Sequence, residues 1–248
     1  ERLSIYNPFL QMTVNQDNAP IVAGRAKRLD NGELFARISG YFGATEWALY
    51  GYNGFFPQPL GVRMAGGPAG APVLFAPQLS AVGASARGQL SSLLVNAEGA
   101  VYLSEDDSDG ADPSLPNSAL KALVGVERSL GGETTVSGQW FGDLTLDYDA
   151  YAEPFISAGG TAPVAELRHT VTLRVTKLML YQTVKLSFFG YWGISDEDYY
   201  LRPSIEYDYT DNLQITLGAN WLGGDHPYTM FGQFRDNSNL YLRLRRSF

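Results

Sequence analysis

From residue 33 to its last residue the chain alternates apolar and polar side chains, in runs that mostly reach ten residues or more. A strand points successive side chains to opposite faces, so each run is a ribbon with one greasy and one wet side. Strands of soluble proteins average about five or six residues, whereas about nine to eleven tilted residues span a bilayer. The runs are 33–42, 46–54, 79–88, 92–104, 117–128, 134–149, 164–178, 182–192, 199–210, 212–222 and 238–248. In 166–176, Leu167, Val171, Leu173 and Val175 oppose Glu166, Arg168, Thr170, Thr172, Arg174 and Thr176. The final run, SNLYLRLRRSF, sets Leu240, Leu242, Leu244 and Phe248 against Asn239, Tyr241, Arg243, Arg245 and Ser247. A long strand that stays two-faced to its end suits a sheet closed on itself, because closure removes the unpaired edge.

The connections strengthen this reading. Short turns near 43–45, 89–91, 129–133, 179–181 and 210–212 alternate with long links at 55–78, 105–116, 150–163, 193–198 and 223–237. Membrane barrels of the bacterial outer membrane join strands by short periplasmic turns and longer extracellular loops. Eleven runs is an odd number where such barrels carry an even one, so one further strand is expected from 2–14 or 20–29, the former interrupted by Pro8. The expected fold is therefore all-β: a transmembrane up-and-down antiparallel barrel of about twelve strands, one domain over 1–248, with 1–32 weakly patterned as a first strand and loop or the remnant of a longer barrel. The absence of any apolar run near the roughly 18 residues of a membrane helix fits, and a mean hydropathy of −0.13 is what lumen residues diluting lipid-facing ones produce.

With no cysteine, disulfides and thiolate metal sites are excluded. The net charge of −8 and the lack of a basic cluster speak against nucleic acid as a partner. No signal peptide begins at Glu1, so an exported protein starting there is a mature chain or part of a longer one.

Three groups of residues stand out. Trp47, Trp192 and Trp221 carry the outward parity of their strands near strand ends, as an aromatic girdle at the membrane interfaces requires; Trp140 shares the parity but lies nearer mid-strand. Inward parity collects charge. On the last five strands Arg168, Arg174, Lys185, Arg202, Arg243 and Arg245 outnumber Glu166, Glu206 and Asp208. On 92–149 the acids Glu98, Glu127, Asp143 and Asp147 outnumber Lys121. Closed into a ring, these would make a basic and an acidic wall across a water-filled lumen. The competing reading is a lumen packed with salt-bridged side chains. Finally, the long apolar link 55–78 is a candidate constriction, with Phe55, Phe56, Leu74 and Phe75 as wedges and Arg63 at the opening; a surface flap is the alternative.

Signals for chemistry are sparse. His169 faces outward without a serine beside it on its own strand, so a hydrolase acting at the outer surface lacks its nucleophile there. His226 reads as a loop residue. Glu105, Asp107 and Asp109 before Gly110 look like half of a calcium loop, but Pro116 stands where the closing acid belongs. Weak divalent-cation binding there, bridging lipopolysaccharide phosphates, is the sharper reading and a solvated loop the blander one. No cofactor is expected.

The final run resembles the C-terminal signature of Gram-negative outer-membrane β-barrels, carried by Leu240, Leu242, Leu244 and Phe248, with Arg246 where that pattern has an aromatic or aliphatic residue. WALYGYNGFF, DEDYYLRP and GQFRDNSNLYLRL are similar to stretches of an uncharacterised group of large proteobacterial outer-membrane proteins. The resemblance implies residence in the outer membrane among lipid and lipopolysaccharide, and recognition by the barrel-assembly machinery. A non-enzymatic, porin-like channel passing small hydrophilic solutes or ions is the first expectation. A non-transporting barrel, serving as an anchor or a loop-based binding scaffold, is the second.

Overall fold

A computed structural model describes residues 5–7, 12–14, 21–24, 31–64, 72–157 and 165–247. Two small sheets come from the first third of the chain. Strands β1 (Ile5–Asn7) and β2 (Met12–Val14) pair antiparallel. Strand β3 (Ile21–Val22) runs parallel to β7 (Pro72–Phe75), which pairs antiparallel with β6 (Gly61–Met64).

The remaining strands form one large sheet: β4 (Leu34–Phe42), β5 (Thr45–Phe55), β8 (Gln78–Leu90), β9 (Leu93–Ser104), β10 (Ala119–Gly131), β11 (Thr134–Thr145), β12 (Leu167–Met179), β13 (Val184–Gly193), β14 (Asp198–Thr210), β15 (Leu213–Gly224) and β16 (Asn239–Arg246). Its eleven strands follow chain order, with β8 next to β5. Each of the eleven alternating runs is one of these strands. The pairings of β4 with β5 and along β12–β16 are antiparallel, as short turns between sequential strands demand. Several turns use left-handed backbone, at Gly43, Ser91, Glu133 and Leu180–Gln182, the conformation that reverses a strand within a few residues.

The eleven strands of the large sheet stand close to the expected count of about twelve. Among the described residues none before Leu34 joins that sheet, since β1 pairs with β2 and β3 with β7, and the rest of 2–14 and 20–29 lies outside the described residues. One expectation is corrected by a helix, α1 (Tyr148–Ser157), where a strand to 149 and a plain loop were expected. Strand β11 ends at Thr145, and Asp147 turns the chain with φ +52° while its carbonyl accepts the N–H groups of Ala150 and Tyr151. Alanine and glutamate in DAYAE favour helix, and Asp149 suits the positive end of its dipole.

The chain forms two compact units. One comprises 1–86, 98–122 and 143–167, the other 87–97, 123–142 and 168–248. The first has an apolar core in Ala48, Phe55, Phe56, Val73, Pro77 and Leu79. Both units also expose large apolar side chains: Leu34, Ile38 and Phe42 on β4 of the first, and in the second one face of β12–β16, with Leu240 at 81 % and Leu242 and Leu244 at 66 %.

Candidate functional site

Register along β12–β16 separates two faces. On the apolar face Val171, Trp192 and Tyr199 are cross-strand neighbours, as are Leu201 and Trp221, and Leu217 and Leu242. The opposite face is a ladder of polar rows. Arg174, Phe189 and Arg202 share one row, with the Arg174 guanidinium 5.8 Å from the centre of the Phe189 ring. Neither arginine has an acidic partner among the described residues. A cation on an aromatic face keeps its charge while its stem is held by packing. Two rows towards the short turns, Lys185, Glu206, Thr216 and Arg243 align. Glu206 lies between two cations, 3.9 Å from Lys185 and 3.8 Å from Arg243, while Arg243 also donates to Thr216 at 3.4 Å. Next come Asp208, Gln214 and Arg245, with Gln214 donating to Asp208 at 2.9 Å.

Towards the long loops the same face becomes aromatic. Thr172, Tyr191, Tyr200 and Leu222 form the row beside Arg174 and Arg202. Tyr200 donates its hydroxyl to Asn220 at 2.7 Å. Phe231, from the loop after β15, lies on this row: its ring stacks on Tyr200 at 5.3 Å and meets Tyr191 edge-on at 4.9 Å. The next row carries Asp198, 3 % exposed, which accepts the Phe231 backbone N–H at 2.8 Å. Sequence reasoning missed Phe189, Tyr191, Asp198, Tyr200 and Phe231. Inward parity was legible for the four that lie on strands, but Phe231 sits in a loop whose path the alternation does not encode.

The other expected charges are dispersed. Arg168 pairs with Asp196 at 2.5 Å. Lys121 pairs with Asp143 at 3.1 Å and lies over the Tyr102 ring. Glu98 is exposed on β9. Glu127 borders a cavity of about 280 Å³ with Gln89 and Thr135. Glu166 precedes β12, its carbonyl accepting the Thr145 N–H. Asp147 belongs to the turn before α1 rather than to a strand wall, a correction that follows from the end of β11 at Thr145.

Of segment 55–78 the described residues, 55–64 and 72–78, are folded. Phe55 and Phe56 are buried, Leu74 and Phe75 half-buried, and the Arg63 guanidinium lies 5.3 Å over the Phe75 ring. The Phe56 N–H donates to Pro77, and the Tyr52 hydroxyl bonds the main chain of Phe55. This segment is tied to the acidic loop: Val62 donates to Ser114, Glu105 to Gln78, and the Gln78 N–H to Asp106. Within that loop Asp107 is 5 % exposed and accepts the N–H groups of Ala111 and Asp112. Burial raises its pKa above the ordinary carboxylate value. The cation site expected at Glu105, Asp107 and Asp109 is corrected on this ground: no cluster suited to a metal ion occurs among the described residues, because the Asp107 carboxylate turns inward to brace backbone.

Trp192 and Trp221 lie on the apolar face of β12–β16, Trp192 over Gly190, while on the β4–β5 pair Trp47 stands opposite Gly40 and shares its face with Ile38 and Leu49. Trp140 donates its indole N–H to His169 Nδ1 at 3.3 Å, and Ser195 accepts the His169 backbone N–H at 2.9 Å. Leu240, Leu242 and Leu244 pair with Ala219, Leu217 and Ile215, while Phe248 lies outside the described residues.

No protein-family model matches the chain, and neither does any curated protein. Among solved structures, one titled KdgM porin is similar at 8 % identity with a TM-score of 0.33, over 88 % of this chain and 94 % of that one. The site is therefore read from this chain's own residues.

Proposed function

We propose that this chain is an outer-membrane, porin-like β-barrel through which small hydrophilic solutes or ions diffuse passively. The observation that carries the reading is the sorting of side chains by face. Along β12–β16, Leu217, Trp221, Leu240, Leu242 and Leu244 are exposed on one side, and charged and hydroxyl-bearing side chains fill the other. In water such an apolar surface would be a standing liability, whereas in lipid it is the required exterior. Were all eleven strands to alternate in direction as β4–β5 and β12–β16 do, the first and last would run the same way and an antiparallel closure would need one strand more. Arg174 and Arg202, without acidic partners among the described residues, favour anions over cations in the path.

Lipid and lipopolysaccharide would meet the apolar face, and the barrel-assembly machinery would read the last strand during biogenesis. The test is planar-bilayer recording of detergent-purified protein in a salt gradient. Discrete steps with a reversal potential on the anion side are expected. A silent bilayer, with insertion confirmed independently, would sink the channel reading in favour of an anchor or loop-presenting scaffold.

A further inference from the structure

We propose that residues 225–237 form the size filter of the path and that Phe231 is its narrowing side chain; this rests on the channel reading above. The segment is pinned at both ends, to the turn before β14 at its start and to β15 at its end. At its start Asp225 donates to the Glu197 carbonyl, and at its end the Ser238 hydroxyl accepts the Leu222 N–H at 3.1 Å and donates to the Leu222 carbonyl at 3.2 Å. Between these anchors the chain turns tightly. The Thr229 hydroxyl donates to the His226 carbonyl at 3.0 Å and accepts the Gly232 N–H at 3.2 Å. Gly232 is required there, since a Cβ would strike the His226 carbonyl. Residues Gly232–Asn237 then close into a 3₁₀ helix.

This turn delivers Phe231 onto the polar face rather than the apolar one. Its ring meets Tyr200 and Tyr191, and its N–H is held by buried Asp198. A phenyl group has no hydrogen bond to offer a hydrated solute, so on this wet face the ring is held by stacking and its backbone by Asp198. It lies over the row next to Arg174 and Arg202. A solute would therefore meet a rigid aromatic narrowing first and two cations directly after it, so size selection and charge selection are neighbouring steps.

The test compares wild type, Phe231→Ala and Phe231→Trp in planar bilayers, reading unitary conductance and the cut-off for neutral polymers of graded size. Resistance of the unboiled protein to unfolding in gels checks that each variant is folded. The Ala variant should conduct more and admit larger polymers, and the Trp variant should do the reverse. Because the chain has no cysteine, Phe231→Cys gives an independent readout: a thiol reagent added to the open channel should step its current down. If wild type conducts and none of these changes moves conductance or cut-off, the size filter is wrong and the channel reading stands. If wild type is silent but Phe231→Ala conducts, Phe231 seals the path instead of grading it, and both the channel reading of the wild-type protein and the size filter are overturned. Silence of both, with insertion confirmed, overturns the channel reading and the inference with it.

Discussion

Two carboxylates show how neighbours decide what an acid does. Asp143 is held 3.1 Å from Lys121, so its charge is largely cancelled locally. Asp143→Asn should free that cation and move the reversal potential further towards anions, while Arg174→Gln should move it the other way; bilayer recordings in a salt gradient decide both. Asp107 serves its loop instead. Removing its side chain strands two backbone donors, so Asp107→Ala should weaken the loop by about 1–3 kcal/mol, read as faster hydrogen exchange at 105–118. Its pKa is raised by burial, so the folded loop binds more protons than the unfolded one above the ordinary carboxylate value. Loop stability should therefore fall as pH rises through the raised pKa, and Asp107→Asn should flatten that dependence. Sequence reading marked Asp107 as a cation ligand because its DxD spacing is visible in the chain, whereas the inward turn of its carboxylate is set by tertiary packing.

At the scale of elements, the loops carry what the strands do not. Segment 225–237 keeps its shape through one turn that only glycine fits, so Gly232→Ala should dislodge Phe231 without touching the strands. The expected outcome is the conductance rise of Phe231→Ala, with unboiled gel mobility unchanged; an unaltered conductance would show that the turn does not position the ring. The described residues 55–64 and 72–78 instead supply β6 and β7 of a small sheet, with Phe55, Phe56 and Val73 buried. Strands were legible because period two is a local property of a pleated chain. Helix α1 was not, since ten residues with a proline among them give too short a period to stand out beside strands.

For the whole molecule, the decisive distinction is between a sheet that faces lipid and one that faces water. Leu242 pairs with Leu217 on the apolar face, and Ser187 lies across from Ser204 on the polar one. Leu242→Arg should cost about 2–4 kcal/mol of folding into lipid vesicles if that position reaches the bilayer midplane. Ser187→Lys should leave folding in place and shift only the reversal potential. Equal tolerance of both changes, in a protein that stays monomeric without detergent, would favour a soluble sheet.

By itself the sequence determined the strands, their two faces and their alternating short and long connections, because side-chain parity and turn length act between near neighbours. It also placed Arg168, Arg174, Lys185, Arg202, Arg243 and Arg245 on one face of β12–β16, with Lys177 and Arg246 on the other, since register follows from that parity once sequential strands pair. Only the tertiary structure decided which charges meet, such as Glu206 between Lys185 and Arg243, and which loop lies on the polar wall. It alone set Phe231 against Tyr200 and Asp198. These depend on contacts between residues distant in the chain, whose energies come from stacking and burial that no local pattern encodes.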